Sequence, residues 1–289
     1  MHPVLIDLGF FKLHTYGLMI ALGFLVGMQL GAREARRVDV SEEGGFDQFI
    51  LDLTFWILLA SIAGARLLFI IVEWDAVYAR DPLKILRIWE GGFVFYGGFI
   101  GAVLFSVYYC RRKGRSFLLV ADTLIPSVAL GHFFGRLGCL AAGCCWGVEA
   151  HPDFALAIQL PEGSLAHSSM LRSGLIPPGA EHTPHVHPVQ LYESVGELGI
   201  FFVLLFARSL KRFHGQALLT YLFLYPILRT SLEFLRGDKE RGEYLVLGAK
   251  VSTSQIISVV IAGVAITLLI VLVRRRAGRP SVATTAPAR

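Results

Sequence analysis

Long apolar runs separated by short polar loops dominate the chain. Seven of them approach the roughly 20 residues that a helix needs to cross a bilayer. The predicted spans cover residues 14–32, 49–72, 92–110, 117–137, 190–207, 216–235 and 254–273. The fifth is the weakest, because its first turns carry Tyr192, Glu193 and Glu197. The pattern predicts an all-α polytopic membrane protein with about seven transmembrane helices.

Composition supports the membrane interpretation. Hydrophobic residues make up 54% of the 289 residues and charged residues only 17%, whereas a soluble domain carries about a quarter charged residues. The net charge is +5, but the basic residues lie in short clusters between apolar runs. A nucleic-acid binder would carry them as a stripe or tail on a polar domain, so the lipid bilayer is expected as a partner and nucleic acid is not.

The distribution of Lys and Arg predicts the orientation. With the N-terminus outside, the cytoplasmic loops hold 15 of the 27 basic residues, and the longer outer segments hold 9. Because positive charge accumulates in cytoplasmic loops, the topology is predicted as N-out and C-in. Residues 1–279 are predicted to form a single membrane domain, with a small extracytoplasmic head segment at about 138–189. Residues 280–289 are predicted to be a disordered C-terminal tail.

Several spans carry glycines at four-residue spacing. These are Gly23, Gly27 and Gly31, then Gly97 and Gly101, then Gly131 and Gly135. Such spacing lets spanning helices approach closely, so packing is predicted for these glycines in preference to catalysis.

Three arginines fall at membrane depth, where charge is costly and usually functional. Arg66 lies about two-thirds along the second span, Arg136 closes the fourth, and Arg229 lies late in the sixth. In the N-out topology all three belong to the outer half of the membrane. Guanidinium groups suit bidentate contacts with phosphate, and the phosphates available there are lipid headgroups. A phospholipid site is therefore predicted, with an anion carrier as the open alternative.

The sixth span adds a polar stripe. Tyr225, Arg229, Glu233 and Arg236 are spaced four, four and three apart, which predicts one helical face. An internal ion pair between Arg229 and Glu233 that only fixes helix packing is the alternative to a ligand-binding role.

A Gly- and Cys-rich stretch follows the fourth span. Residues 135–147 (GRLGCLAAGCCWG) are predicted to turn or re-enter. Cys139, Cys144 and Cys145 leave three interpretations open. They are a metal site with His132, for which no fourth ligand is obvious, a disulfide of Cys139 with Cys144 or Cys145, or small packing residues.

In the order and spacing of these motifs, the chain resembles bacterial prolipoprotein diacylglyceryl transferase. The resemblance runs from about Val4 to Arg274. Its landmarks are residues 14–19 (HTYGLM), 64–66 (GAR), 87–92 (RIWEGG), 96–101 (YGGFIG), 135–138 (GRLG), 187–193 (HPVQLYE) and 229–236 (RTSLEFLR).

The resemblance implies an enzyme of the bacterial inner membrane, with its active site toward the extracytoplasmic side. Such an enzyme transfers the diacylglyceryl group of phosphatidylglycerol to the lipobox cysteine of prelipoproteins, forming a thioether and releasing glycerol phosphate. It implies no metal or organic cofactor. The residues on which the expected catalytic and substrate-binding roles fall are Arg136, Arg229, Tyr16, Glu233, Arg236, Gly147, Gln190 and Tyr192. Packing or ion pairing is expected for Arg66 instead.

The chain departs from the family pattern at two places. Where the family has His-Gly-Gly, with the histidine as general base, this chain has Tyr96-Gly97-Gly98. Tyr96 is the expected catalytic substitute, although a phenol is a poor base at neutral pH. Where the signature has Gly-Asn-x-x-Asn-Gly-Glu, residues 138–144 read GCLAAGC. The alternatives to the transferase are a non-enzymatic phospholipid-binding or carrier protein and a paralogue with thiol-redox chemistry.

Overall fold

The computed structural model describes residues 4–9, 12–39, 44–79, 81–87, 91–238, 243–246 and 249–277. Within these residues the helices are α1 (Thr15–Val38), α2 (Phe46–Val72), α3 (Phe95–Arg112), α4 (Phe117–Ala142), α5 (Leu165–Arg172), α6 (Val189–Ala207), α7 (Gln216–Glu233) and α8 (Thr253–Ala277). Two antiparallel hairpins complete the described elements. One pairs β1 (Val4–Asp7) with β2 (Lys12–His14), and the other pairs β3 (Glu243–Val246) with β4 (Ala249–Ser252).

A helix occupies each of the seven predicted spans, and α5 is a short additional helix in the head segment. Among the described residues, α1, α2, α4, α6 with its following turn, and α8 are long and apolar enough to cross a membrane. The helices α3 and α7 have only 18 residues each. The polytopic helical membrane class is therefore confirmed, whereas the number of seven spans and the orientation stay predictions.

The chain divides into two compact units. The first comprises Met1–Phe24 with Val128–Arg289, and the second comprises Leu25–Ser127. The single membrane domain over residues 1–279 stays a prediction, and the tail of residues 280–289 lies outside the described residues.

In the second unit, α2 and α3 pack with almost no space between their backbones. A Cβ added to Gly97 would lie 2.3 Å from the carbonyl oxygen of Gly64, and one added to Gly101 would lie 2.5 Å from that of Ala60. Only glycine fits at such a contact. The predicted packing role of Gly97 and Gly101 is confirmed.

In the first unit, α4 runs further than its sequence predicts. The helix continues through Arg136 to Ala142 and turns only at Gly143, where φ is 65°. The prediction that the whole stretch 135–147 turns or re-enters is therefore wrong. Gly138 lets this last part of α4 pass close to Tyr16, since a Cβ at Gly138 would lie 3.1 Å from the Tyr16 ring.

The head segment of the first unit folds around a small core of its own. Leu160, Ala166, Met170, Ile176 and Val186 are buried together there. Ser164 begins α5, since its side chain accepts a hydrogen bond from the backbone N–H of His167 at 3.2 Å. This core holds the loop after α4 against the start of α6, where most of the predicted site residues lie.

Candidate active site

One face of α6 carries buried polar side chains. Gln190, Glu193, Ser194 and Glu197 recur at helical spacing and are each at most 1% exposed. The rest of the helix is almost wholly apolar. Because a buried carboxylate is costly without a partner, this face requires cations or donors opposite it.

Two side chains of α4 supply them. Arg136 Nη2 lies 2.8 Å from Glu193 Oε1, and His132 Nδ1 lies 2.7 Å from Glu197 Oε1. Arg136 Nε donates to His132 Nε2 at 3.3 Å. Because Nε2 accepts that bond, the proton of a neutral imidazole lies on Nδ1, the nitrogen next to Glu197. Arg136 is thus oriented by Glu193 on one side and by His132 on the other.

Helix α7 adds aromatic rings and a second arginine. Tyr221 and Tyr225 are stacked, with ring centroids 5.6 Å apart, and the Tyr225 ring lies 5.2 Å from that of His132. One turn later, Arg229 is 5% exposed and forms an ion pair with Glu233 at i+4. Tyr225, Arg229 and Glu233 share one helical face, as predicted.

Arg236 does not belong to that face, and the predicted four-residue stripe is wrong at this position. The helix ends at Glu233. The chain then pairs with the head segment, where Val148 N donates to Leu235 O at 2.8 Å. Arg236 instead forms a bidentate contact with Asp238, at 2.8 and 2.6 Å. Burial acts to lower the pKa of Arg236, but the hydrogen bonds and charge of Asp238 outweigh it and raise the pKa above its ordinary value.

Gly147 is the point at which the head segment meets the chain after α7. Its N–H donates to His187 O at 3.0 Å, and it forms a β-bridge with Arg236. A Cβ on Gly147 would lie 2.4 Å from His187 O. Gly147 therefore acts through close backbone approach, which fixes Arg236 beside the loop that follows α4.

The remaining predicted residues of this unit surround the same loop. Gln190 Nε2 donates to Cys144 O at 2.6 Å, and the Tyr192 hydroxyl lies 3.3 Å from His187 Nδ1. Tyr16 is 43% exposed and close enough to Arg136 to interact electrostatically. The first unit thus brings together all the predicted site residues except Tyr96.

The three cysteines of the loop form a cluster of free thiols. The sulfur atoms of Cys139, Cys144 and Cys145 all lie within 4.8 Å of one another, and no disulfide joins them. Hydrogen bonds from the thiols of Cys139 and Cys144 hold the pKa of Cys145 below its ordinary value, and the charge of Arg236 contributes in the same direction. Three sulfurs thus converge beside the buried guanidinium of Arg236.

Two arginines of the first unit each have a buried terminal nitrogen that makes neither a hydrogen bond nor an ion pair with a described residue. Arg229 Nη2 and Arg236 Nη1 donate to no group in the described part of the chain. A buried donor without an acceptor costs about 1–3 kcal/mol. An oxyanion would satisfy either group, and a phosphate offers the geometry that guanidinium recognises best.

Arg66 and Tyr96 belong to the second unit. Arg66 Nη1 donates to the carbonyls of Gly91 and Gly92, and its Nη2 donates to those of Lys84 and Arg87. The guanidinium also lies 5.8 Å from the centre of the Tyr78 ring. Arg66 therefore stabilises the conformation of the loop after α2. Tyr96 lies in the first turn of α3, with half of its side chain exposed.

Sequence reasoning undervalued two residues. His132 appears there only as a possible companion of the cysteines, and Glu197 only as a weakness of the fifth span. The available signal was the i, i+3, i+7 spacing of Gln190, Glu193 and Glu197 in an otherwise apolar helix, which indicates a buried polar face.

Comparison with known proteins agrees with the expected resemblance. The family model for prolipoprotein diacylglyceryl transferase matches residues 3–271. A phosphatidylglycerol–prolipoprotein diacylglyceryl transferase of Clostridium tetani is 35% identical over 259 residues, which cover 89% of this chain and 92% of the relative. Proteins of the same name from Lysinibacillus sphaericus and Ralstonia pickettii are 30% and 31% identical and cover 97% and 94% of this chain, or 95% and 94% of their own length. The chain belongs to the prolipoprotein diacylglyceryl transferase family.

Proposed function

We propose that this protein transfers the diacylglyceryl group of phosphatidylglycerol to the lipobox cysteine thiol of prelipoproteins. The observation that carries the proposal is the pair of buried, unused N–H groups on Arg229 and Arg236. They belong to the same unit as Arg136 and the loop of residues 143–147. Family membership supplies the reaction class, and these donors supply a place for the phosphate.

The chemistry explains why arginines are needed. A thiolate attacks the glyceryl carbon that carries the phosphate ester, so a C–S bond forms and a C–O bond breaks. The electron pair of the broken bond goes to the phosphate, which leaves as glycerol phosphate with one more negative charge. Oriented donors that face this developing charge stabilise the transition state more than the bound lipid.

The carboxylates beside these arginines serve as positioning groups. Glu193 holds Arg136, Glu233 holds Arg229, and Asp238 holds Arg236. Each guanidinium is therefore fixed before the lipid binds, so little reorganisation is needed during the reaction. In our proposal Arg136 and Arg229 contact the phosphate, and Arg236 supports the same anion from the head side.

The other residues have subordinate roles in this scheme. Tyr16 and Tyr192 are proposed to line the lipid and peptide positions, and Gln190 holds the cysteine loop through Cys144 O. Gly147 fixes the backbone, as its close approach to His187 suggests. Tyr96 is proposed as a proton acceptor on the basis of the family resemblance alone.

We infer that the protein works as an N-out, seven-span protein of the bacterial inner membrane, with its active site on the extracytoplasmic side. The excess of Lys and Arg in the alternate loops supports this orientation. The head segment, packed against the start of α6, is the proposed contact for the lipobox peptide.

Purified protein in vesicles of labelled phosphatidylglycerol tests the proposal. A lipobox peptide with cysteine should gain the diacylglyceryl label, and its serine variant should not. Binding or movement of the lipid without covalent change would favour the carrier, and thiol oxidation without lipid transfer would favour the redox paralogue. Complementation of cells depleted of their own transferase is the matching test in vivo.

A further inference from the structure

The loop after α4 is built to bring three sulfur atoms together. Cys139 lies in the last turn of α4, and Gly143, with φ 65°, reverses the chain so that Cys144 N donates back to Cys139 O at 3.1 Å. Cys145 follows with φ 60°, a left-handed conformation that is strained for a non-glycine residue. The turn therefore directs Cys144 and Cys145 back toward Cys139.

The backbone on both sides of this turn is fixed. The carbonyl of Gly143 accepts from Ala166 N at 2.9 Å, and that of Cys144 accepts from Gln190 Nε2 at 2.6 Å. The carbonyl of Trp146 accepts from Gly237 N at 3.0 Å. A turn held through these three carbonyls keeps the sulfurs close without a covalent bond between them.

We propose that Cys139, Cys144 and Cys145 form a site for Zn²⁺ with three protein ligands and one open position. Tetrahedral zinc with Zn–S bonds of about 2.3 Å places its sulfurs about 3.8 Å apart. The three sulfurs here lie within 4.8 Å of one another, so small rotamer changes suffice. Catalytic zinc sites typically have three protein ligands and leave the fourth position for water or substrate.

The surrounding charge suits such a site. Zn²⁺ with three thiolates carries one negative charge, and the buried guanidinium of Arg236 interacts electrostatically with Cys145. Arg136 also interacts electrostatically with Cys139 and Cys145. The centre is thus flanked by two of the arginines that the proposed function assigns to the lipid phosphate.

The open position gives the site a role in the proposed transfer, on which this part of the inference rests. The lipobox thiol binds Zn²⁺ as a thiolate and releases its proton to water, because a coordinating thiol is deprotonated outright. That sulfur then attacks the glyceryl carbon, the C–S bond forms, and the C–O bond electrons leave with glycerol phosphate. The product is a neutral thioether, a weaker ligand than the thiolate, and it dissociates from the metal.

Metal binding can be measured without any activity assay. The purified full-length chain should retain about one zinc ion per molecule, measured by elemental analysis. Titration with Cd²⁺ should produce a thiolate-to-metal charge-transfer band in the ultraviolet. The variant C139S/C144S/C145S should lose both signals, and C110S should keep them, because Cys110 packs in a separate apolar cluster with Phe46 and Leu53.

The substrate-thiol step has its own readout. A lipobox peptide should raise the Cd²⁺ charge-transfer band by about one third, since it adds a fourth thiolate to three, and the serine peptide should leave the band unchanged. With the unaltered sequence, a chelator should abolish transfer, and Zn²⁺ but not Mg²⁺ should restore it. This arm does not depend on whether the cysteine variant folds.

The outcomes separate the two proposals. Absence of both zinc and the Cd²⁺ band, or a disulfide within the cluster of the isolated protein, overturns the metal site. Transfer that withstands metal removal overturns its catalytic role and leaves the proposed function standing. A metal signal in a protein that never transfers lipid overturns the proposed function and leaves the site standing.

Discussion

Arg66 and Arg229 are two arginines of nearly equal burial, 8% and 5% exposed, in different compact units. Both terminal nitrogens of Arg66 donate to main-chain carbonyls of the loop after α2. Arg229 is held instead by the carboxylate of Glu233, and its Nη2 donates to no described group. The terminal nitrogens of Arg66 are used by the fold and only its Nε has no described partner, whereas Arg229 has a terminal nitrogen left for a ligand.

The difference shows that burial alone does not identify a functional arginine. Sequence position predicts depth for both residues, and depth predicts cost. What separates them is the chemistry of their partners. Main-chain carbonyls accept hydrogen bonds from both terminal nitrogens of Arg66. The carboxylate of Glu233 instead orients Arg229 and leaves its Nη2 without a described acceptor.

Removal of Arg229 should have the largest effect. We expect R229A/E233Q to lower kcat for transfer by about 10²- to 10³-fold, the cost of losing one oriented donor to a developing oxyanion. The second substitution is included because R229A alone leaves a buried carboxylate without its cation, which destabilises by about 3–5 kcal/mol. Initial rates of labelled diacylglyceryl transfer measure the loss.

E233Q alone is the matched control. It keeps the Arg229 guanidinium and an acceptor toward it, so its loss should stay within about tenfold, or 1.4 kcal/mol. If R229A/E233Q transfers as fast as E233Q, Arg229 only fixes helix packing. Arg229 and Arg66 would then have the same structural role.

Arg66→Ala should affect stability in place of catalysis. It removes a charged donor from several carbonyls, which we expect to lower the free energy of unfolding by about 2–4 kcal/mol. The transfer rate per folded molecule should stay within about twofold, because no described donor of Arg66 is proposed to meet the lipid. Thermal unfolding in detergent, with rates normalised to folded protein, tests both parts. A stable variant that has lost transfer would contradict the structural role.

Gly147→Ala tests how far the head segment depends on backbone contact. The new Cβ would lie 2.4 Å from His187 O and 2.7 Å from His187 Cβ, so one strand of the contact must shift. We expect a loss of about 1–3 kcal/mol in stability and reduced transfer, because Arg236 moves with its bridge partner.

Gly199→Ala is the control for that experiment. Gly199 lies in α6 with no atom within 4 Å of an added Cβ. The substitution should be neutral or stabilise the helix by up to about 1 kcal/mol. Equal melting temperatures for the two variants would mean that the backbone at Gly147 and His187 can move apart without a loss of stability.

The sequence predicts the helices better than their ends and partners. Apolar runs locate each long helix among the described residues, because burial in lipid requires about 20 apolar residues whatever the packing. They do not predict that α4 continues to Ala142 or that α7 ends before Arg236. Those limits depend on long-range contacts, Gly138 with Tyr16 and Gly147 with Arg236.

For the candidate site, too, the sequence predicts single residues better than the contacts between them. Residue type and spacing predict that Arg136 and Arg229 matter, since charge at membrane depth is rare and costly. They do not predict that Glu193 and His132 orient Arg136, because these partners lie on different helices. The convergence of Cys139, Cys144 and Cys145 depends on a left-handed turn that spacing alone does not reveal.

Tyr96→Phe should have the smallest effect and decides how the thiol loses its proton. If the metal deprotonates the lipobox cysteine, the phenol is dispensable, and kcat should change by less than about threefold. If Tyr96 is the base, the loss should reach about 10²-fold or more, the usual contribution of a general base. The side chain is half exposed, so removal of its hydroxyl should cost little stability, and a lost rate can be assigned to chemistry. A large loss of rate in Y96F, together with transfer that persists after chelation, would mean that Tyr96 deprotonates the lipobox thiol. The cysteine loop would then have no part in the reaction.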